Sequence, residues 1–187
     1  MTHILCIETA TSVCSVALIR DQSVISIRES ARKNAHAEYV SVFMDEVIQE
    51  AGLSFSDLDA VAVSKGPGSY TGLRIGVSSA KGLCYSQDIP LIAISTPRSM
   101  AAGMIGRLIE QGDPISGNAL CCPMIDARRM EVYDALYEVG GIRDLRGIGG
   151  IRDIGDIREI RKIRAEVIYG DSFKNYLGDH IVLDSVT

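Results

Sequence analysis

No stretch of about eighteen consecutive apolar residues occurs in this sequence, so no transmembrane helix and no membrane partner is expected. The N-terminal MTHILCIETATS lacks a basic region followed by an apolar one, so a secretory leader is not expected either. An excess of positive charge is also missing. Lys and Arg number 19 against 24 Asp and Glu, a formal charge of −5, which argues against a chain that grips nucleic acid by itself. The five cysteines, Cys6, Cys14, Cys84, Cys121 and Cys122, contain no C-x-x-C pair. The three histidines, His3, His36 and His180, lie far from any cysteine pair, so a structural zinc site is not expected. The thiols read as reduced, mostly as small core residues, which suits a cytoplasmic protein.

What is present suffices for a core: 47% of the 187 residues are apolar, enough for one domain or two small lobes. HILCIE (3–8), VCSVALIR (13–20) and SVISIRE (23–29) read as three strands. Their short polar connections predict an antiparallel meander, and the third should alternate Val24, Ile25 and Ile27 against Ser26 and Arg28. A helix is predicted over Ala35–Ala51, with Asn34 as N-cap and Gly52 closing the end. A strand at 59–64, a helix from about Thr71 and a strand at 90–95 complete a β-β-β-α-β-α-β order. That order is a ribonuclease-H-like lobe, which is half of an actin-like ATPase. Thr96–Pro97 closes it, because the residue before proline avoids helix.

The expected organisation is therefore a first lobe over 1–97 and a second, smaller one over 98–187. The second starts with a helix near 98–110 and continues with strands at 119–125 and 131–138 joined by the turn DARRM. From 142 to 163, Ile142, Leu145, Ile148, Ile151, Ile154, Ile157, Ile160 and Ile163 recur every third residue. Neither helix nor strand keeps that period on one face, and glycines interrupt it, so the segment is expected to be an inserted, mobile surface loop. The sequence ends just after a further expected strand, IVLDSV, so the second lobe reads as incomplete and truncated at its C-terminus.

KGPGSYTGLRIGVSSAKGL (65–83) carries glycines at 66, 68, 72, 76 and 82. It could be a phosphate-cradling loop or a bare helix surface for another helix. A Walker A loop needs a lysine that GPGSYTGLR does not place, and the glycine spacing also misses the dinucleotide fingerprint. Gly72, Gly76 and Ala80 recur at i, i+4, i+8, on one face of a helix, with Leu73 and Val77 beside it. A glycine inside a helix costs about 1 kcal/mol relative to alanine, and close approach of a second helix would offset that.

Other chemistry finds little footing. Actin-like ATPases open with a strand ending D-x-G, but here Glu8-Thr9-Ala10 stands in that place. Glu8, Thr9 and Ser69 are the candidates for nucleotide contact. His36 has no second histidine four residues on, so no metal site is expected. No G-x-S-x-G elbow surrounds Ser12, Ser64 or Ser69. Asp126, Arg128 and Glu131 lie in a tight connection between two strands, where a turn acid with an arginine pairing to it explains them without catalysis, the alternative being an exposed site at that edge.

IETATSVCSVAL (7–18), GPGSYTGLRIG (66–76) with AKGL (80–83), and IDARRMEVY (125–133) together resemble the bacterial TsaB (YeaZ) family. The similarity runs over about 1–138, with a weaker echo at 166–184. It implies an actin-like, two-lobed α/β fold, a mixed sheet with flanking helices, and a role in making N6-threonylcarbamoyladenosine in transfer RNAs that read codons beginning with A. In that family TsaD carries the metal-binding histidines and the transfer chemistry. TsaB is its non-catalytic partner, joined through two helices from each protein, and TsaE completes the complex. The resemblance thus implies no catalytic residue, metal or cofactor of this chain's own. ATP and a metal would be used by the partner subunits, and tRNA met only within the complex. The partner-binding residues expected on this basis are Val40, Phe43, Met44 and Val47 on the first helix, and Leu73, Gly76, Val77, Ala80 and Leu83 on the second. Without TsaD the same faces would pair two copies as a homodimer. The alternatives are a self-sufficient, actin-like nucleotide-dependent enzyme and a soluble peptidase.

Overall fold

The computed structural model describes residues 1–32, 35–112, 118–140 and 157–167. The chain divides into two compact units, Met1–Thr96 and Pro97–Thr187. In the first, β1 (His3–Glu8), β2 (Cys14–Arg20) and β3 (Ser23–Ser30) form the antiparallel meander. Helix α1 (Ala35–Glu50) crosses to β4 (Ala60–Ser64), and α2 (Tyr70–Gln87) crosses to β5 (Leu91–Ile94). β4 lies parallel to β1, and β5 parallel to β4, in the order β3-β2-β1-β4-β5. This mixed sheet with its crossover helices is the ribonuclease-H-like layout read from the sequence. Asn34, the expected cap of α1, lies outside the described residues.

Strand alternation decides the core. Leu5 and Ile7 of β1, Val16 and Leu18 of β2, and Val61 and Val63 of β4 point to one sheet face. Both helices bury their apolar stripes there, and they also pack on one another through the same cluster. The expected alternation in β3 is corrected. A bulge opposite Leu18/Ile19 inserts one residue, so Ser26 turns inward while Val24 and Ile27 are exposed. Ser26 is not left unsatisfied, because its hydroxyl donates to Glu50 at the end of α1. α2 ends at Asp88, whose left-handed backbone (φ 53°) closes the helix with an N–H bond to Cys84 O.

In the second unit, α3 (Thr96–Gln111) carries Pro97 in its first turn, where a missing N–H costs nothing. Its Ala101 and Ile105 pack on Ala135, Tyr137 and Val139. The strand expected over 119–125 is two strands, β6 (Asn118–Cys121) and β7 (Met124–Arg128), separated at Cys122–Pro123. Both pair with β8 (Glu131–Gly140).

The period-three segment is the larger correction. Residues 157–163, expected in a loop, belong to β9 (Ile157–Val167), antiparallel to β8. Two register shifts between Glu159 and Arg164 give β9 two extra residues. They leave the parity of Ile157 and Ile163 unchanged, so both reach the α3 side, while Ile160 stays exposed. The period of three thus puts alternate isoleucines, Ile157 and Ile163, on the core side and leaves the one between them outside. Residues 142–156, and the strand expected at 181–186, lie outside the described residues.

Candidate functional site

Glu8, Thr9 and Ser69, distant in sequence, meet where β1 ends and α2 begins. Glu8 closes on its own turn: Oε1 accepts the Ala10 N–H at 2.6 Å, and Oε2 accepts the Ser64 hydroxyl from the end of β4. The acid that an actin-like ATPase would use for its metal is here a brace between two parallel strands. Ser69 caps α2, its Oγ accepting the Gly72 N–H at 3.2 Å, while its own N–H donates to Ala10 O at 2.6 Å. The helix N-terminus is thus tied to the β1–β2 turn.

The approach is tight. A Cβ added at Gly72 would stand 2.2 Å from Thr9 O, and one at Gly68 2.3 Å from Ala10 O. Gly76 faces the Thr9 side chain just as closely. Thr9 is fully buried, and its Oγ1 has no hydrogen-bond partner. The glycine stripe therefore receives the β1–β2 turn of its own unit. With Thr9 and Ala10 packed against them, Gly68, Gly72 and Gly76 leave no room there for a second helix.

This corrects the residues expected at a partner surface. Val40, Phe43, Met44, Val47 and Ala80 are buried in the core cluster, and Gly76 is buried against Thr9. Leu73, Val77 and Leu83 are half-buried, Val77 and Leu83 against that cluster and Leu73 beside Gly66. α1 and α2 lie side by side on one sheet face, and both apolar stripes are consumed in covering it.

The opposite face of α2 carries what sequence reasoning passed over. Tyr70, Arg74, Ser78, Gly82 and Tyr85 follow one another at three- or four-residue steps, displaced two residues, about 200°, from the Gly72–Gly76–Ala80 stripe. All are exposed, Tyr70 at 74% and Tyr85 at 92%. The Arg74 guanidinium lies over the Tyr70 ring at 5.4 Å. Gly82 has open space within 4 Å of where its Cβ would be, so nothing in its own unit calls for glycine in mid-helix. The signal was available in the same quoted stretch: Gly82 is out of phase with the other glycines.

Elsewhere the chemistry is quiet. The thiol of Cys6 is pushed up to about 11 by burial, and burial also raises those of Cys14, Cys84 and Cys121, which keeps them protonated. Among the described residues no three His, Cys, Asp or Glu side chains gather as a metal site, and no helix is long and apolar enough to cross a membrane. His36 lies half-buried near the start of α1. Asp126 accepts the Arg128 N–H at 2.7 Å in the turn between β7 and β8.

Residues 24–149 match the family model described as TsaD, tRNA N6-adenosine threonylcarbamoyltransferase. The chain is 36% identical over 135 residues to the tRNA threonylcarbamoyladenosine biosynthesis protein TsaB of Bacillus subtilis, which covers 72% of this chain and 55% of that protein. With the TsaB of Escherichia coli it shares 37% identity over 136 residues, 73% of this chain and 55% of the relative. It thus spans about half the length of the curated relatives it matches. Among solved structures, YeaZ from Pseudomonas aeruginosa superposes with a TM-score of 0.69 at 27% identity, covering 88% of this chain and 67% of that one.

Proposed function

The chain belongs to the tRNA N6-adenosine threonylcarbamoyltransferase family, in its TsaB (YeaZ) group, and from that premise we propose that it is a non-catalytic partner subunit of the complex that makes threonylcarbamoyladenosine in tRNA. It binds and activates a TsaD-type transferase, which supplies the metal and the transfer chemistry. TsaE joins the same complex in the cytoplasm, and tRNA is met only there. The observation that carries this reading is the closed state of Glu8. Both its oxygens are engaged, by the Ala10 N–H and the Ser64 hydroxyl, in a turn held against α2 by the Ser69–Ala10 hydrogen bond. A carboxylate spent this way holds strands together and does not organise a nucleotide.

The partner surface is the outward face of α2, with Ser78 and Gly82 as the low ground for a helix and Tyr70 and Tyr85 as anchors on either side. Aromatic anchors around small residues suit helix-on-helix association. In the absence of the transferase the same face pairs two copies of this chain. The test is reconstitution with a TsaD-type transferase, carrying Glu8→Gln in this chain. Transfer activity should stay within a few-fold, and the chain alone should not hydrolyse ATP. A thousand-fold loss, about 4 kcal/mol of barrier, would return Glu8 to the chemistry and favour the self-sufficient ATPase.

A further inference from the structure

The β7–β8 hairpin turns on residues ill suited to its backbone. Arg128 pairs with Glu131, leaving Arg129 and Met130 as a two-residue connection. Arg128, Arg129 and Met130 all have left-handed backbone, with φ of 68°, 57° and 63°. Turns of this length favour Asn-Gly, because an L side chain with a Cβ is strained in that region. Three large side chains are held there regardless, and burial does not repay the strain, since all three are exposed, Met130 at 69%. Neither guanidinium finds a partner among the described residues. Asp126 is engaged with the Arg128 N–H, which fixes the turn while leaving the arginine side chains unused.

We propose that this tip is a contact for the phosphodiester backbone of tRNA, Arg128 and Arg129 each presenting a forked donor to a phosphate. The proposal rests on the reading of the chain as a subunit of a tRNA-modifying complex. Guanidinium forks match phosphate oxygens in pairs, and a rigid hairpin holds them at little ordering cost. Asp126 and Glu131 flank the tip and balance its charge, so it recognises individual phosphates and exerts no broad field. That agrees with a chain of net charge −5, which adds register to an RNA gripped elsewhere in the complex.

The experiment uses the full chain assembled with its transferase partner and a tRNA transcript as probe. Arg128→Gln with Arg129→Gln should leave assembly intact by mass, weaken tRNA binding about tenfold, and flatten the dependence of log affinity on log salt by about 1–2 units. Arg128→Lys with Arg129→Lys should restore most of the salt dependence. A second variant, Arg129→Asn with Met130→Gly, supplies the residues this turn prefers. It should raise the melting temperature by roughly 2–8 °C while weakening tRNA binding. An assembled complex with unchanged tRNA affinity in these variants overturns the proposal and leaves the subunit reading standing. Loss of assembly overturns it as well, and makes the tip a protein contact. Failure of the unmodified chain to assemble with the transferase would instead sink the subunit reading.

Discussion

Gly76 and Thr9 touch so closely that a methyl group on Gly76 would stand 2.2 Å from Thr9 Oγ1. Thr9 is fully buried at the end of β1, so it cannot swing clear. Gly76→Ala should cost about 1–3 kcal/mol of stability, and Gly76→Leu should prevent the first unit from folding. Thr9→Ala, which removes the hydroxyl, should recover part of the Gly76→Ala loss. A double-mutant cycle read by urea unfolding measures that coupling, and simple additivity would contradict the contact.

Gly82, six residues further along the same helix, should behave in the opposite way. With open space about its Cβ position, Gly82→Ala should stabilise the isolated chain by up to about 1 kcal/mol. Binding to the transferase should weaken, because the added methyl occupies ground meant for a neighbouring helix. Tyr85→Ala should also weaken binding, by about 1–2 kcal/mol, without affecting folding. Titration of the two proteins against each other decides the matter. Unaltered affinity in both variants would remove this face from consideration.

Acid should loosen the first unit through two carboxylates. The Ser26 hydroxyl, then the Arg28 guanidinium, hold Glu50 below the usual carboxylate range, and hydrogen bonds from the Ser54 hydroxyl and N–H do the same for Asp57. A folded value below the unfolded one means stability that is present above the unfolded value, about 4 for these acids, and lost as pH falls through the folded value. Glu50→Gln and Asp57→Asn together should flatten the fall in unfolding midpoint below about pH 4. Both groups are exposed, so the effect should be small and should shrink in high salt. An unchanged acid limb in the double variant would contradict it.

The strand at 157–167 makes a paired test. Ile157, only 4% exposed, lies in the core with Ala101, Ile105 and Tyr137, whereas Ile160 is 44% exposed. Ile157→Ala should cost about 2–4 kcal/mol, and Ile160→Ala under about 0.5 kcal/mol. Thermal unfolding of the two variants separates a strand from the inserted loop that the sequence pattern suggested, since a loop would leave both near the parent.

Local order was legible in the residues because it depends on local periodicity. The apolar runs HILCIE, VCSVALIR and SVISIRE, the apolar face of the helix from Ala35, and short polar turns between the first strands were enough for β-β-β-α-β-α-β and so for the ribonuclease-H-like sheet. Glu8, Thr9 and Ser69 could be named as one group because each sits at an element end that such a sheet brings together. What the helices do with their faces could not be read that way. A small-residue stripe says that something comes near, but its identity depends on contacts across more than sixty residues of chain, between Thr9 and Gly76. Only the packed structure assigns that stripe to the β1–β2 turn and leaves Gly82 and Tyr85 outward. The bulge in β3 follows the same logic. One extra residue reverses which side chains face the core, and whether a strand takes it is settled by the partner strand it must match.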